Sequence, residues 1–143
     1  MLKINSSLSQ QIIIDGGLNH GLKKGQLVLA RNQLIGRIIG LSENTAKILL
    51  ITDAISRIPV TTINSRTKFI AAGQSTNYLL CKYLIDHNSL KEGELVATNG
   101  DSRFIIPGII IGSIFKEENK FYVKPNINID KLEFCSNNTN GSR

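Results

Sequence analysis

The fold is decided by a stretch that occurs twice, LKKGQLV at residues 22–28 and LKEGELV at residues 90–96, with five of the seven positions identical. In both copies a lysine-containing loop ends in a glycine, and an apolar pair follows one residue later. A glycine at that point lets the chain leave a tight loop with a positive φ and enter a strand. The stretch therefore predicts a repeated unit that consists of a glycine turn and a β-strand.

Each copy is followed by a second glycine, which lies inside a β-branched strand. The first copy leads to LIGRI at residues 34–38, and the second leads to IIGSI at residues 110–114. A glycine within a strand permits a bulge or a bend, which a small barrel needs in order to close. About eight additional residues, among them Pro107, separate the two halves in the second copy. In both copies the strand then reaches a polar turn, at residues 42–44 and 117–119. Three matching features in the same order indicate duplication of one β unit or convergence on it.

Short apolar runs rich in Ile and Val extend this pattern along the chain, and Gly, Asn, Asp and Ser interrupt them. Such runs are typical of a β-barrel or a sandwich. They lie at residues 11–15, 26–30, 34–41, 46–51, 57–62, 67–72, 78–84, 94–98, 109–115, 120–124 and 131–134. No stretch keeps a helical period, so we expect at most one helical turn, near residues 53–56 or 86–90.

These patterns predict an all-β fold of two small, related, Greek-key-like β-barrel subdomains. The first is expected over residues 1–75 and the second over residues 76–135. The polar segment at residues 136–143 is expected to be a disordered tail. Eight glycines are predicted to turn or bend the chain, and they are Gly16, Gly21, Gly25, Gly36, Gly93, Gly100, Gly108 and Gly112.

The net charge of +6 is unevenly distributed. Residues 1–75 hold nine basic and three acidic side chains, whereas residues 76–143 hold eight of each, so the whole excess lies in the first half. A basic surface can attract nucleic acid, anionic lipid or an acidic protein, and it can also be a solvated face that favours solubility. Arg31 and Arg66 are the candidates for such a contact.

The residues that carry chemistry are scattered and predict neither an enzyme nor a cofactor. His20 and His87 both lie in turns or loops, and no Gly-x-Ser-x-Gly elbow accompanies them. Cys81 is expected in the core and Cys135 in the tail, so neither a disulfide nor a zinc site is predicted. The glycines do not have the spacing of a phosphate-binding loop.

No membrane-spanning segment is predicted. The longest apolar stretch, residues 104–114, is interrupted by Pro107, Gly108 and Gly112 and is far shorter than the roughly 20 residues that a spanning helix needs. The first residues also lack the apolar region of a signal peptide.

Two other functions are compatible with a small barrel. An OB-like domain that binds single-stranded nucleic acid would use the basic first half, but that half contains Phe69 as its one aromatic residue for base stacking. A protease-like barrel would react with serine-directed reagents, and no such reaction is expected.

The chain resembles the barrel core of the MreC family of rod shape-determining proteins. The resemblance rests on residues 14–25, 34–38 and 49–60 in the first half and on residues 90–112 in the second, and it runs from about residue 11 to residue 134. The sequence departs from the family pattern at Asn99, at Ile110 and in the spacing of Phe104 and Pro107.

The resemblance implies two β-barrel subdomains and a non-enzymatic scaffold for cell-wall elongation, cell-shape maintenance and the regulation of peptidoglycan synthesis. It implies self-association as a homodimer or filament, and the partners MreD, MreB, RodA and a penicillin-binding transpeptidase. It places the domain on the periplasmic side of the inner membrane, anchored by a segment that is not part of this chain. No cofactor and no nucleic acid are expected, and the candidate partner surface comprises Arg31, Arg66, Phe104 and Pro107.

Overall fold

The structure, a computed structural model, describes residues 3–4, 10–85, 89–100 and 105–127, and for Lys3 and Ile4 it describes the backbone alone. Over these residues the chain forms strands and, at Leu18–His20, a short 3-10 helix. The strands are β1 (Lys3–Ile4), β2 (Gln11–Asp15), β3 (Leu27–Ala30), β4 (Gln33–Leu41), β5 (Thr45–Leu50), β6 (Arg57–Thr62), β7 (Lys68–Ala72), β8 (Leu79–Lys82), β9 (Leu95–Thr98), β10 (Ile110–Glu117) and β11 (Lys120–Pro125). The prediction of an all-β fold is confirmed, and β2 to β11 coincide with predicted runs to within two residues at each end.

The first five strands form one antiparallel sheet in the order β1-β2-β5-β4-β3. Ile48 on β5 pairs with Ile12 on β2 and with Ile38 on β4, so the three side chains form a row on one face. All three are buried, and Ile35 and Leu50 join them in one apolar cluster. Since burial of each such side chain contributes about 1.5–3 kcal/mol, this cluster is the core of the first unit.

The other six strands close into an antiparallel barrel in the order β10-β11-β8-β7-β6-β9. The consecutive strands β6, β7 and β8 lie side by side; the chain then crosses to β9, next to β6, and returns through β10 and β11 to β8. This path is of the Greek-key kind that was predicted. An OB fold has five strands, so the barrel does not match the OB-like alternative.

The barrel interior is filled by aliphatic side chains from alternate positions of its strands. Ile58, Val60, Val96, Ile114 and Val123 are all buried in one cluster. Because neighbouring positions along each strand point to opposite faces, the residues between them lie on the barrel exterior.

The repeated stretch has the same geometry in both units. Gly25 and Gly93 have φ angles of 91° and 86°. Each donates its amide hydrogen to the carbonyl of an isoleucine, Ile38 at 2.8 Å and Ile114 at 2.7 Å. Each isoleucine donates in return to the carbonyl of the residue after the glycine, at 2.9 Å in both units. The relation predicted between the two units is therefore present in the backbone.

The second glycine of each repeat lies where a neighbouring strand passes too close for a side chain. A Cβ atom on Gly36 would overlap the carbonyl oxygen of Leu49, and one on Gly112 would overlap the carbonyl oxygen of Lys124. The pairing of β3 with β4 and that of β9 with β10 each shift register at a bulge. Glycine is required here by close approach of two backbones, as at other bulged strands.

The border between the two units lies earlier than predicted. Residues 57–72 were expected in the first unit, but β6 and β7 pair with each other and β6 also pairs with β9, so both belong to the barrel. The junction before them is fixed by the buried Asp53, whose carboxylate accepts hydrogen bonds from the amides of Gln10 at 2.6 Å and Ile55 at 2.9 Å. The physical reason for the difference is that β6 finds its second partner far along the chain.

The two units are in contact. Leu34 on β4 is only 2% exposed and packs in the core cluster of the barrel. The Arg37 guanidinium donates from Nη2 to the Arg57 carbonyl at 2.5 Å, and burial lowers the pKa of Arg37. Ile127, which follows β11, packs against the core of the first sheet. Each unit therefore contributes a side chain to the packing of the other unit's core.

Three predicted features remain. A single hydrogen-bonded turn is present near residues 53–56, where the Ser56 amide donates to the Asp53 carbonyl at 2.9 Å. At the alternative position, residues 86–90, Ser89 has the 3-10 conformation. The 3-10 helix at Leu18–His20 was not predicted. The predicted strand at residues 131–134 and the predicted tail at residues 136–143 lie outside the described residues, as do residues 86–88. Within the described parts of the chain, no helix is long and apolar enough to cross a bilayer.

Candidate interaction surface

The described side chains of the types most often used in catalysis, those of His20 and Cys81, have structural roles in the fold. His20 lies in the 3-10 helix, and its Nδ1 accepts a hydrogen bond from the Gly17 amide at 3.1 Å. Cys81 is buried, and burial raises the pKa of its thiol to about 12, so the reactive thiolate is scarce at neutral pH. His87 and Cys135 lie outside the described residues. Among the residues that are described, no three His, Cys, Asp or Glu side chains come together as a metal site would require.

Glu94 differs from Gln26, which holds the same place in the first repeat. The amide oxygen of Gln26 accepts a hydrogen bond from Lys23 in its own loop at 2.9 Å. Glu94 is only 7% exposed, and its Oε2 accepts from the Ser65 amide, in the β6–β7 turn, at 2.5 Å. Its Oε1 has no hydrogen-bond partner within the described residues. The carboxylate thus links the residue before β9 to the β6–β7 turn. A cleft of about 400 Å³ lies between this turn and the loop at residues 91–94.

The eight glycines predicted to turn the chain fall into two groups. Six have a positive φ, and they are Gly16, Gly21, Gly25, Gly93, Gly100 and Gly108. The other two, Gly36 and Gly112, lie within β4 and β10. Backbone conformation and close strand approach account for all eight without a ligand.

The four residues predicted as a partner surface do not lie together. Arg31 is exposed in the turn between β3 and β4 of the first sheet, and Arg66 is exposed in the β6–β7 turn of the barrel. Pro107 is also exposed, but β9 runs from the Arg66 end of the barrel to the connection that contains Pro107, so these two lie at opposite ends. Phe104 lies outside the described residues. The four residues were grouped because they are basic, aromatic or proline side chains, and the antiparallel pairing of the strands places the described ones apart.

A row of large side chains on the barrel exterior was not predicted from the sequence. Alternation along β10 and β11 turns Ile114 and Val123 inward, so the cross-strand pair of Phe115 and Tyr122 faces outward. Tyr122 pairs in turn with Leu80 on β8. The row therefore crosses three neighbouring strands at one level of the barrel.

The rings in this row touch one another. Phe115 and Tyr122 are stacked, with ring centroids 5.4 Å apart and planes at 22°. Tyr78, one residue before β8, meets Phe115 edge to face with centroids 4.7 Å apart. Tyr78 is 39% exposed, and the other side chains are half-buried. We call Tyr78, Leu80, Phe115 and Tyr122 the aromatic patch.

The aromatic patch has the chemistry of a protein-binding surface. Phe and Tyr offer a large apolar area with few rotatable bonds, and Tyr adds a hydroxyl group that can form hydrogen bonds at the rim. Part of it could have been found in the sequence: a two-residue turn at Glu118 and Asn119 places residue 115 opposite residue 122. Tyr78 could not be added in this way because its contact requires β8 to lie beside β11.

Comparison with known proteins assigns the chain to a family. The family described as rod shape-determining protein MreC, barrel core, matches residues 2–135. The cell shape-determining protein MreC of Haemophilus influenzae is 29% identical over 133 residues, which cover 87% of this chain and 38% of that protein. The chain thus spans about two fifths of the length of this curated relative.

Solved structures share the fold. The major periplasmic domain of the cell shape-determining filament MreC, in its monoclinic form, aligns with a TM-score of 0.79 and 21% identity, covering 92% of this chain and 89% of that chain. A chain of the complex between penicillin-binding protein PBP2 and MreC from Helicobacter pylori aligns with a TM-score of 0.63 and 15% identity, covering 94% of this chain and 82% of that chain. At these identities the likeness concerns the fold.

Proposed function

Because this chain belongs to the MreC family of rod shape-determining proteins, we propose that it is a non-enzymatic scaffold domain of the complex that elongates the bacterial cell wall. In this proposal it maintains cell shape and regulates peptidoglycan synthesis by holding partner proteins. The observation that carries the proposal is the aromatic patch, which offers a binding surface. The involvement of His20, Cys81 and Asp53 in the fold supports a role without catalysis.

We infer that the aromatic patch contacts a penicillin-binding transpeptidase. The solved complex of such a protein with an MreC of the same fold supports this choice of partner. Tyr and other aromatic side chains are enriched among the residues that dominate binding energy at protein interfaces. The patch is held by strand pairing on β8, β10 and β11, so little conformational entropy is lost when a partner binds.

The proposal also concerns location and assembly. The domain would lie on the periplasmic side of the inner membrane. The shared fold with the periplasmic domain of a filament-forming relative supports this location and supports self-association. Sedimentation velocity tests self-association, and a monomer at every concentration would contradict it. MreD, MreB and RodA remain partners predicted from the family resemblance.

A binding measurement tests the partner surface. The double variant Phe115→Ser/Tyr122→Ser removes both stacked rings from the aromatic patch while leaving the inward side chains of β10 and β11 unchanged. We expect the Kd for the periplasmic part of the source organism's transpeptidase to rise at least about thirtyfold, which corresponds to about 2 kcal/mol. Surface plasmon resonance measures this change.

The matched control is Tyr83→Ser, which removes an exposed ring outside the patch and should leave the Kd unchanged. Circular dichroism checks that each variant keeps its strands. The proposed surface is wrong if the folded double variant binds as tightly as the unaltered chain, or if Tyr83→Ser weakens binding equally.

A further inference from the structure

One end of the barrel combines protruding apolar side chains with cations. It is formed by the β6–β7 turn, by the adjoining ends of β7 and β8, and by the residues that follow β8. Ile70 pairs with Lys82, and the hydroxyl groups of Thr67 and Ser89 lie 2.7 Å apart, so the two segments are neighbours. We call this end the basic tip, and its members are Arg66, Lys68, Lys82, Tyr83 and Ile85.

The two apolar members of the basic tip extend into solvent. Tyr83 is 72% exposed and Ile85 is 96% exposed. Tyr83 also has a φ of 65°, in the left-handed region, which is costly for a bulky residue. Both side chains would gain from burial in an apolar phase.

The cations of the basic tip share this end of the barrel with Glu92 and Glu94, which precede β9, and with Glu117 and Glu118 of the β10–β11 turn. Residues 54–85 contain no Asp or Glu. At the preceding position Asp53 is buried and bonded to backbone amides, and the following Asp86 lies outside the described residues. Arg66 and Lys68 are exposed. The segment at residues 54–85 therefore carries only positive charges on its exposed side chains, and the exposed carboxylates of this end belong to residues 92, 117 and 118.

Two contacts near the basic tip position charged groups, the Lys82 ammonium and the Glu92 carboxylate. The Lys82 ammonium lies 5.9 Å from the centroid of the Tyr83 ring, so a charge and a ring form one unit. The carboxylate of Glu92, exposed at the same end of the barrel, accepts a hydrogen bond from the Lys116 amide at 3.1 Å. That carboxylate is thereby directed toward β10.

We propose that the basic tip binds the surface of a bilayer that contains anionic lipids. Tyr83 and Ile85 enter the headgroup region, and Arg66, Lys68 and Lys82 contact lipid phosphates. Long basic side chains around an aromatic and an aliphatic residue are the arrangement that such an interface favours. A bilayer is a better fit than an acidic protein because these apolar side chains protrude and do not line a groove. The contact is independent of the partner surface proposed above.

Vesicle sedimentation with the full 143-residue chain tests this proposal. We expect binding to vesicles of phosphatidylglycerol and phosphatidylcholine at low ionic strength, loss of binding at high salt, and no binding to phosphatidylcholine alone. In the double variant Lys68→Gln/Lys82→Gln, each neutralised cation should weaken vesicle binding about fivefold. Tyr83→Asn and Ile85→Ser should each weaken it as well, and Asn tolerates the left-handed backbone at residue 83.

The matched control is Lys47→Gln/Lys124→Gln, which removes the same charge from the first sheet and from the far end of β11. It should retain nearly full vesicle binding. Equal loss in both pairs would show attraction by net charge alone and would overturn the proposal. So would absence of binding by the unaltered chain, unchanged binding of Tyr83→Asn and Ile85→Ser, or tighter binding to poly-glutamate than to the vesicles, which would indicate an acidic protein. Thermal unfolding checks that each variant is folded.

Discussion

At the residue scale, Gly112 shows why the repeat needs its second glycine where β10 passes close to β11. A Cβ atom at this position would overlap the Lys124 carbonyl oxygen on β11, and the backbone there cannot move without breaking the pairing of β10 with β11. We expect Gly112→Ala to lower the free energy of unfolding by about 3 kcal/mol, at the upper end of overpacking costs. Urea denaturation measures the change.

Gly40 provides the control for this prediction. It also lies in a strand of the repeat, but a Cβ atom there would meet the nearest atom, Cβ of Lys47, at 3.6 Å, which is an ordinary contact. Gly40→Ala should therefore change stability by less than about 1 kcal/mol. Equal effects of the two substitutions would contradict the role assigned to Gly112.

Cys81 gives the barrel a dependence on alkaline pH. Burial raises the pKa of its thiol from an ordinary value of 9.0 to about 12. Below pH 9 the thiol is neutral in both the folded and the unfolded chain, so its contribution is constant. As the pH rises from 9 toward 12 the unfolded chain ionises first, and stability falls by at most about 1.4 kcal/mol per pH unit.

The comparison that isolates this effect is with Cys81→Ala. Denaturant unfolding of both chains between about pH 8 and about pH 10.5 should show a steeper loss of stability in the chain that keeps the thiol. Parallel pH profiles would mean that the thiol ionises equally easily in both states.

At the scale of elements, the β10–β11 hairpin turns without a glycine. Glu118 and Asn119 both have positive φ angles, of 51° and 67°, which is the conformation of a type I′ turn. Because Asn-Gly is the preferred pair in this turn, Glu118→Asn/Asn119→Gly should stabilise the chain by about 1 kcal/mol. Differential scanning calorimetry should show a rise in Tm of about 3 °C.

The β4–β5 turn provides the contrast, since neither Glu43 nor Asn44 has a positive φ. Asn44→Gly should lower the Tm there, because glycine adds freedom to the unfolded chain and because the substitution removes the hydrogen bond that Asn44 Oδ1 accepts from Asn19 Nδ2 at 3.0 Å. A rise of the Tm in that variant, or a fall in the β10–β11 variant, would show that turn conformation does not decide these effects.

Strands and turns were largely predictable from local sequence. The alternation of apolar residues predicts β6 with the same first and last residues that the structure shows. The glycines at residues 25 and 93 each predict that a strand follows the turn. The break between the runs at residues 26–30 and 34–41 was predicted, but the conformation of its turn was not, because Arg31 and Asn32 adopt positive φ without a glycine. β1, at Lys3–Ile4, was missed because two residues carry no readable period.

At the scale of the whole molecule, pairing between strands that are distant in the sequence determines which strands form one unit, and local sequence does not show this pairing. β6 and β7 were grouped with the first unit because they follow it in the chain, and they belong to the barrel because β6 pairs with β9. The aromatic patch was missed for the same reason, since Tyr78 reaches Phe115 only once β8 lies beside β11. The predicted partner residues Arg66 and Pro107 were separated by that same topology.

The two proposed surfaces lie on different parts of one closed barrel. The aromatic patch is on the outside of β8, β10 and β11, and the basic tip is at the end formed by the β6–β7 turn and the residues after β8. A scaffold with this arrangement could hold a transpeptidase and a bilayer surface at once.

The most direct test of the scaffold proposal is the shape of cells in which Phe115→Ser/Tyr122→Ser replaces the unaltered sequence in the source organism's own gene. The ratio of cell length to width is measured by microscopy, protein abundance is measured by immunoblot, and Lys47→Gln is the surface control. We expect the double variant to be as abundant as the unaltered protein while the cells lose their normal ratio. Normal shape in cells that carry the abundant, folded double variant would contradict the account.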